Sequence, residues 1–220
     1  MKFGATTIPK VALEELGERW RKLDAMPRVD AVWVPDHRFK GWIEAWTALE
    51  ALSGVTKRVR FGPLVSPLTL HQATALAHAA VHLDEVSGHR VELGVGSGGE
   101  WRNFEAWSDE LVQLIGDIPL TVGGAGPTAL RVAARHAYRW NYSPGREAER
   151  DEARRRGREL NARLDELSDR PILRSALIAY PFTGEDDTPF DELVGAWAAA
   201  GFDELIVDDP GPFVAALGEG

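Results

Sequence analysis

The chain has 220 residues, 44% of them hydrophobic, and a formal net charge of −9. That length supports one sizeable core, and the acidic balance argues against nucleic acid or an anionic membrane as the main partner. Without cysteine there is no disulfide, thiolate metal site or cysteine nucleophile, and with neither a signal peptide nor a run of ~20 apolar residues a cytoplasmic location is expected.

Short apolar, β-branched runs alternate with longer runs of helical period. KFGATTI at 2–8 predicts a strand, and a helix follows from Pro9 to about Ala25. DAVWV at 30–34 predicts the second strand, with WIEAWTALEALSG as a helix stopped by Gly54. RVRFGPLV at 58–65 is the third strand. Its helix, TLHQATALAHAAVHLDEVSG, has an apolar face through Ala73, Leu76, Ala80 and Leu83, and Gly88 stops it. RVELGV is the fourth strand, and the mostly helical WRNFEAWSDELVQLIG follows. IPLTV at 118–122 leads into PTALRVAARHA, whose Pro127 suits a first helical turn. YRWNYS precedes a charged helix at 146–167, and PILRSALIAYPF precedes the helix PFDELVGAWAAAG. DELIVDD at 203–209 is the eighth strand, and the stub helix PFVAALGE follows it. Eight strand–helix units predict an α/β fold, a compact (β/α)8 TIM barrel forming one domain over residues 1–220. An open doubly wound sheet needs fewer units.

Polar and glycine residues gather after the strands. They include Thr6 and Thr7, Asp36 and His37, Ser66, the run from Gly96 to Asn103, Gly123 to Gly126, Asn141, Tyr180, and Asp208 with Asp209. The return loops, such as TKR and SGHR, are plainer. In a barrel this asymmetry locates the site at the C-terminal strand ends. ELGVGSGGEW holds a literal G-x-G-x-x-G at Gly94, Gly96 and Gly99. The dinucleotide reading fails, because Asp117 precedes the next apolar run instead of ending it. At a barrel mouth, Gly96, Ser97, Gly98 and Gly99 instead let backbone approach a flat or phosphorylated ligand. GGAGP precedes a helix start, where free N–H groups bind anions. Two adjacent glycine loops point to one extended phosphorylated cofactor, against the plainer reading of tight turns.

Three stretches carry a family resemblance: AVWVPDHRF, RVRFGPLVSPLTL through HLDEVSGHRVELGVGSGGE, and IPLTVGGAGPTALRVAARHAYRWN. Together they resemble the bacterial-luciferase-like oxidoreductases, which adopt a (β/α)8 barrel. The resemblance implies a flavin or deazaflavin ring, FMN or F420, across the barrel mouth, with its phosphate tail toward the glycine loops. It implies that Asp36 and His37 lie against the ring as the catalytic pair, and that Leu64, Val65 and Ser66 fall where a non-prolyl cis peptide often occurs. It further implies that Glu100 and Asn103 are a cofactor-binding pair displaced by one glycine, and that Gly123, Gly124 and Gly126 bind the tail. The chain departs from the family in three places. The long insertion between the fourth and fifth strands is reduced to WRNFEAWSDELVQLIGD, the usual RHP reads His71, Gln72, Ala73, and the last helix is a stub.

His37 suits acid/base work near neutral pH beside Asp36, although the pair could equally cap its loop. His78 and His82 are spaced i,i+4, but no third ligand suggests itself, so no metal is expected. Trp42 and Trp101 are candidates for the pocket wall. The leading reading is a flavin- or F420-dependent oxidoreductase or monooxygenase acting on a small organic substrate. The alternatives are a barrel that holds flavin without turnover and, last, the dinucleotide dehydrogenase. A homodimer is expected from the eight tryptophans and from the resemblance.

Overall fold

The computed structural model describes residues 1–145, 150–178, 189–209, 214 and 217. The expected eighth helix therefore lies outside the described residues except for Val214 and Leu217, which are both buried. Tyr180 and the start of the charged helix also lie outside them.

In chain order the elements are β1 (Lys2–Thr7), α1 (Leu13–Ala25), β2 (Val29–Val34), α2 (Ala45–Leu52), β3 (Arg60–Pro63), β4 (Ser66–Pro67), α3 (Ala73–Ser87), β5 (Leu93–Gly96) and α4 (Phe104–Val112). There follow β6 (Leu120–Gly123), α5 (Pro127–His136), β7 (Arg139–Tyr142), α6 (Arg150–Leu167), β8 (Leu173–Ile178), α7 (Phe190–Ala199) and β9 (Glu204–Asp209). All strand pairs are parallel, and the sheet order is β3-β2-β1-β9-β8-β7-β6-β5-β4.

The third predicted strand is two pieces. β3 pairs with β2, β4 pairs with β5, and between them Leu64 and Val65 are joined by a cis peptide bond. Phe61 also bridges to Val91, so this interrupted stave closes the sheet into a barrel. The nine strands among the described residues thus make the eight staves expected from the sequence.

Alternate residues of each strand face the lumen or the helices. Phe3, Ala5, Val207, Leu205, Trp140 and Tyr142 belong to the main core between barrel and helices. A smaller apolar cluster fills the lumen, made of Ala31, Trp33, Leu64 and Ile206, with the half-buried Val65 and Leu177 packed on it. Towards the N-terminal strand ends the lumen turns ionic, with Glu92, Arg139 and Glu204 all buried and in contact. The barrel is closed below, and its chemistry is left to the opposite end.

Candidate active site

The lumen cluster forms a floor, and polar groups from the strand ends stand around it. Asp36, two residues beyond β2, is 4% exposed. Its Oδ2 accepts from Ser66 Oγ at 2.6 Å and lies 2.7 Å from His71 Nε2. Trp46 Nε1 donates to Ser66 Oγ at 3.0 Å. Burial pushes the Asp36 carboxyl pKa up, but the bonds to His71 and Ser66 and the charges of His71 and His37 outweigh that, holding it below the ordinary carboxylate value. Asp36 is therefore a carboxylate near neutral pH. Within the barrel, the buried Asn141 of β7 donates from Nδ2 to Ser175 Oγ of β8 at 2.9 Å.

His37 stands elsewhere. It is exposed, and its ring is 5.4 Å from Phe39 and 6.2 Å from Trp42, between centroids. Phe39 and Trp42 themselves meet edge-on at 4.9 Å. This aromatic rim is tied to its surroundings by Ile43 N donating to Pro9 O and by Arg38 Nη2 donating to Leu70 O. The ring bonded to Asp36 is thus that of His71, and His37 acts on Asp36 only through its charge.

The two glycine loops converge. Ser97, Gly99, Gly123, Gly124 and Gly126 line one cavity of about 620 Å³, together with Trp101, Phe104, Thr128, Ala129 and Arg131. Its base is the first turn of α5, which has Gly126 as cap and Pro127 at the first position. Arg131 is held there by Glu105 Oε1 at 2.8 Å and Thr128 Oγ1 at 3.1 Å. The remaining glycines of the first loop are shaped by packing. A Cβ on Gly94 would lie 2.1 Å from the Pro63 carbonyl oxygen, and one on Gly96 would lie 2.6 Å from Val65 Cγ2. Gly98 turns the loop at φ +61°, with Thr69 Oγ1 only 2.2 Å from where its Cβ would sit. The G-x-G-x-x-G string therefore serves the close approach of neighbouring strands at its first two glycines and the cavity at its third.

Glu100 caps its own turn, with Oε1 accepting from Arg102 N at 2.6 Å, and Asn103 is exposed at the start of α4. Neither lines the cavity. Sequence reasoning did not single out His71 or Arg131 as site residues, and among the tryptophans it preferred Trp42 and Trp101 to Trp46. His71 looked like a residue inside a helix, and the signal that could have found Arg131 was its place one turn into the helix that GGAGP starts.

A sequence model described as luciferase-like monooxygenase matches residues 12–113. The 4-hydroxyprotoasukamycin monooxygenase of Streptomyces nodosus subsp. asukaensis is 34% identical over 113 residues, a match covering 44% of this chain and 29% of that protein. The 5,10-methylenetetrahydromethanopterin reductase of Archaeoglobus fulgidus is 26% identical over 171 residues, covering 61% of this chain and 50% of that one. The chain thus matches half or less of the length of these curated relatives. Among solved structures, the coenzyme F420-dependent tetrahydromethanopterin reductase from Methanopyrus kandleri superposes with a TM-score of 0.72 at 13% identity, covering 98% of this chain and 96% of that one. At that identity the likeness establishes the fold alone.

Proposed function

We propose that the chain, whose residues 12–113 match the luciferase-like monooxygenase model, is an oxidoreductase that binds a flavin-type cofactor, FMN or F420, at the barrel mouth and acts there on a small organic molecule. The observation that carries this reading is the cavity of about 620 Å³ between the two glycine loops. The first N–H groups of α5 have no intrahelical acceptor and suit an anion. Arg131, paired with Glu105, brings guanidinium N–H donors to the cavity wall, and a Cβ on Gly99 or Gly126 would meet nothing within 4 Å, so the backbone there is open to a ligand. These features fit a phosphate. In this reading Ser97, Gly99, Gly123, Gly124 and Gly126 hold the phosphorylated tail with Arg131, while Gly96 and Gly98 set the path of the loop. Glu100 and Asn103 stand at its outer edge.

The ring would rest on the floor of Leu64, Val65 and Leu177, with Ser66, Asp36 and His37 at its margin. The bound ring supplies the redox chemistry. The chain's own residues position it and provide groups able to hold a proton: the Asp36 carboxylate, buried and fixed by Ser66, and the exposed imidazole of His37.

The test is titration of the purified protein with FMN, F420 and riboflavin, followed by absorbance and fluorescence. FMN or F420 is expected to bind at micromolar concentration, and riboflavin, which lacks the phosphate, at least tenfold more weakly. A folded protein that binds none of the three refutes the reading. Binding without turnover of any donor, acceptor or oxygen would favour a barrel that only carries the cofactor.

A further inference from the structure

We propose that His71 is the positioning partner of Asp36, and that the two form one titrating pair whose charge is set at His71 Nδ1. The inference rests on the reading that the barrel mouth receives a ring cofactor and its substrate.

The proton positions follow from the hydrogen-bond chain. An indole N–H can only donate, so Trp46 Nε1 uses a lone pair of Ser66 Oγ, and the Ser66 hydroxyl proton is free to point at Asp36. The Asp36 carboxylate accepts that bond at Oδ2. The same oxygen lies 2.7 Å from His71 Nε2, and a carboxylate can only accept, so Nε2 carries a proton. His71 is thereby fixed as the Nε2–H tautomer when neutral. Its remaining nitrogen, Nδ1, is the one that gains or loses a proton, and it does so without breaking the bond to Asp36. The His71 side chain is 22% exposed and lines a second cavity of about 390 Å³ with Leu68, Thr69, Trp107 and Glu110. Solvent can therefore exchange protons with a pair whose other member is buried in the mouth.

The pair is neutral overall when His71 is protonated and carries one negative charge when it is not. The charged and titratable groups around it are His37 and Arg38 on the loop after β2 and Glu110 on α4. His37 acts on Asp36 through its charge, Arg38 is bonded to the Leu70 carbonyl, and Glu110 shares the cavity. Ser66 and Trp46 are uncharged, so they orient the carboxylate without altering the count. Both bonds go to Oδ2, which leaves Asp36 Oδ1 without a bond among the described residues. His71 and Ser66 thus hold the carboxylate still through one oxygen alone.

Two measurements decide the proposal. In the first, ¹⁵N NMR of the cofactor-free protein across pH reads the His71 ring. The expected result is a proton on Nε2 throughout, with titration at Nδ1, and a ring signal that moves in Asp36→Asn but not in His37→Ala. A neutral His71 protonated at Nδ1 would overturn the proposal, whether or not any cofactor binds. In the second, the pH profile of kcat is compared in His71→Gln, whose amide can donate to Asp36 but cannot titrate, and in His71→Ala. His71→Gln is expected to lose one inflection of the profile while keeping at least a tenth of the maximal kcat, and His71→Ala to fall a further tenfold or more. An inflection that survives in His71→Gln but vanishes in His37→Ala assigns the titration to His37 and overturns the proposal. Failure to bind FMN or F420 would remove the functional reading and leave the NMR result standing by itself.

Discussion

Arg139 reaches across the lumen from β7 to Glu92, the residue before β5, with Nε 2.6 Å from Oε1 and Nη2 3.1 Å from Oε2. Its Nη1 meets Glu204 on β9, and its guanidinium carbon lies 5.4 Å from the centre of the Trp33 ring. One buried cation thus serves two buried carboxylates beneath the floor of the site, with the half-exposed Arg60 3.6 Å from Glu92. The charge count makes the two ends unequal. Arg139→Met strands the buried Glu204 and leaves Glu92 only the half-exposed Arg60, and is expected to cost about 3–5 kcal/mol. Glu92→Gln leaves Arg139 and Glu204 balanced and should cost clearly less. Urea unfolding of both variants at pH 7 checks the order, and equal losses would count against it.

Val65 projects between two glycines. A Cβ added at Gly96 would lie 2.6 Å from Val65 Cγ2, and one at Gly123 would lie 2.8 Å from Cγ1. Gly96→Ala is therefore expected to destabilise by about 1–3 kcal/mol through overpacking. Truncating the obstacle should relieve it. The Gly96→Ala, Val65→Ala double variant should be more stable than the sum of the single effects predicts, by at least ~0.5 kcal/mol. Additive losses would mean that the alanine is accommodated in another way.

Much of this barrel could be read from the order of residues alone, because alternation of short β-branched runs with amphipathic runs depends only on local period. What depended on contacts between strands could not. RVRFGPLV looks continuous, yet pairing passes from β2 to β5 across Leu64 and Val65. Gly96 is expected from the sequence to bind the cofactor, and what its missing Cβ admits, Val65 from the neighbouring stave, is set by a contact between strands, as is the approach of Pro63 to Gly94. His71 was hidden by a helical period that continues upstream of the helix. α3 starts at Ala73, and Gln72 caps it without a side-chain bond, so no strong capping residue marked the boundary. Glu92, Arg139 and Glu204 lie far apart in the chain, and only barrel closure brings them together.

Asp24, at the end of α1, accepts three backbone N–H bonds of 2.9 Å from Lys57, Arg58 and Val59 at the entry to β3. Burial raises its carboxyl pKa, but these bonds and the Arg58 charge prevail and lower it below the ordinary value. A carboxylate whose pKa is lowered by folding stabilises the protein fully above its unfolded value, near 3.9. That contribution is lost as pH falls through the folded value. Asp24→Asn is expected to lose roughly 1 kcal/mol at pH 7, discounted for partial exposure. The gap from the parent protein should narrow steadily below about pH 4. A gap that stays constant with pH would assign the loss to geometry and not to charge.

The phosphate site is best tested where a side chain can be added without strain. Gly124 is a poor place, because its φ of +131° disfavours any side chain and a Cβ would meet that of Ala129 at 3.0 Å. Gly126 has φ −80° and ψ 158° at the cap of α5, and a Cβ there would meet nothing within 4 Å. Aspartate is a favoured cap residue, so Gly126→Asp should fold and be as stable as the parent, within about 0.5 kcal/mol, or slightly more stable. It also puts a negative charge at the helix N-terminus, on the wall of the cavity. FMN or F420 should then bind at least tenfold more weakly, equivalent to about 1.4 kcal/mol, while riboflavin changes little. Arg131→Ala should weaken the same ligands in the same sense. Arg135→Ala is the matched control. It removes ion pairs to Glu105 and Asp109 from the same helix, but its side chain does not line the cavity, and cofactor affinity should stay within a few-fold. Loss of affinity in all three variants would point to the α4–α5 packing instead of the anion site. Unchanged affinity in Gly126→Asp would remove the phosphate from this cavity.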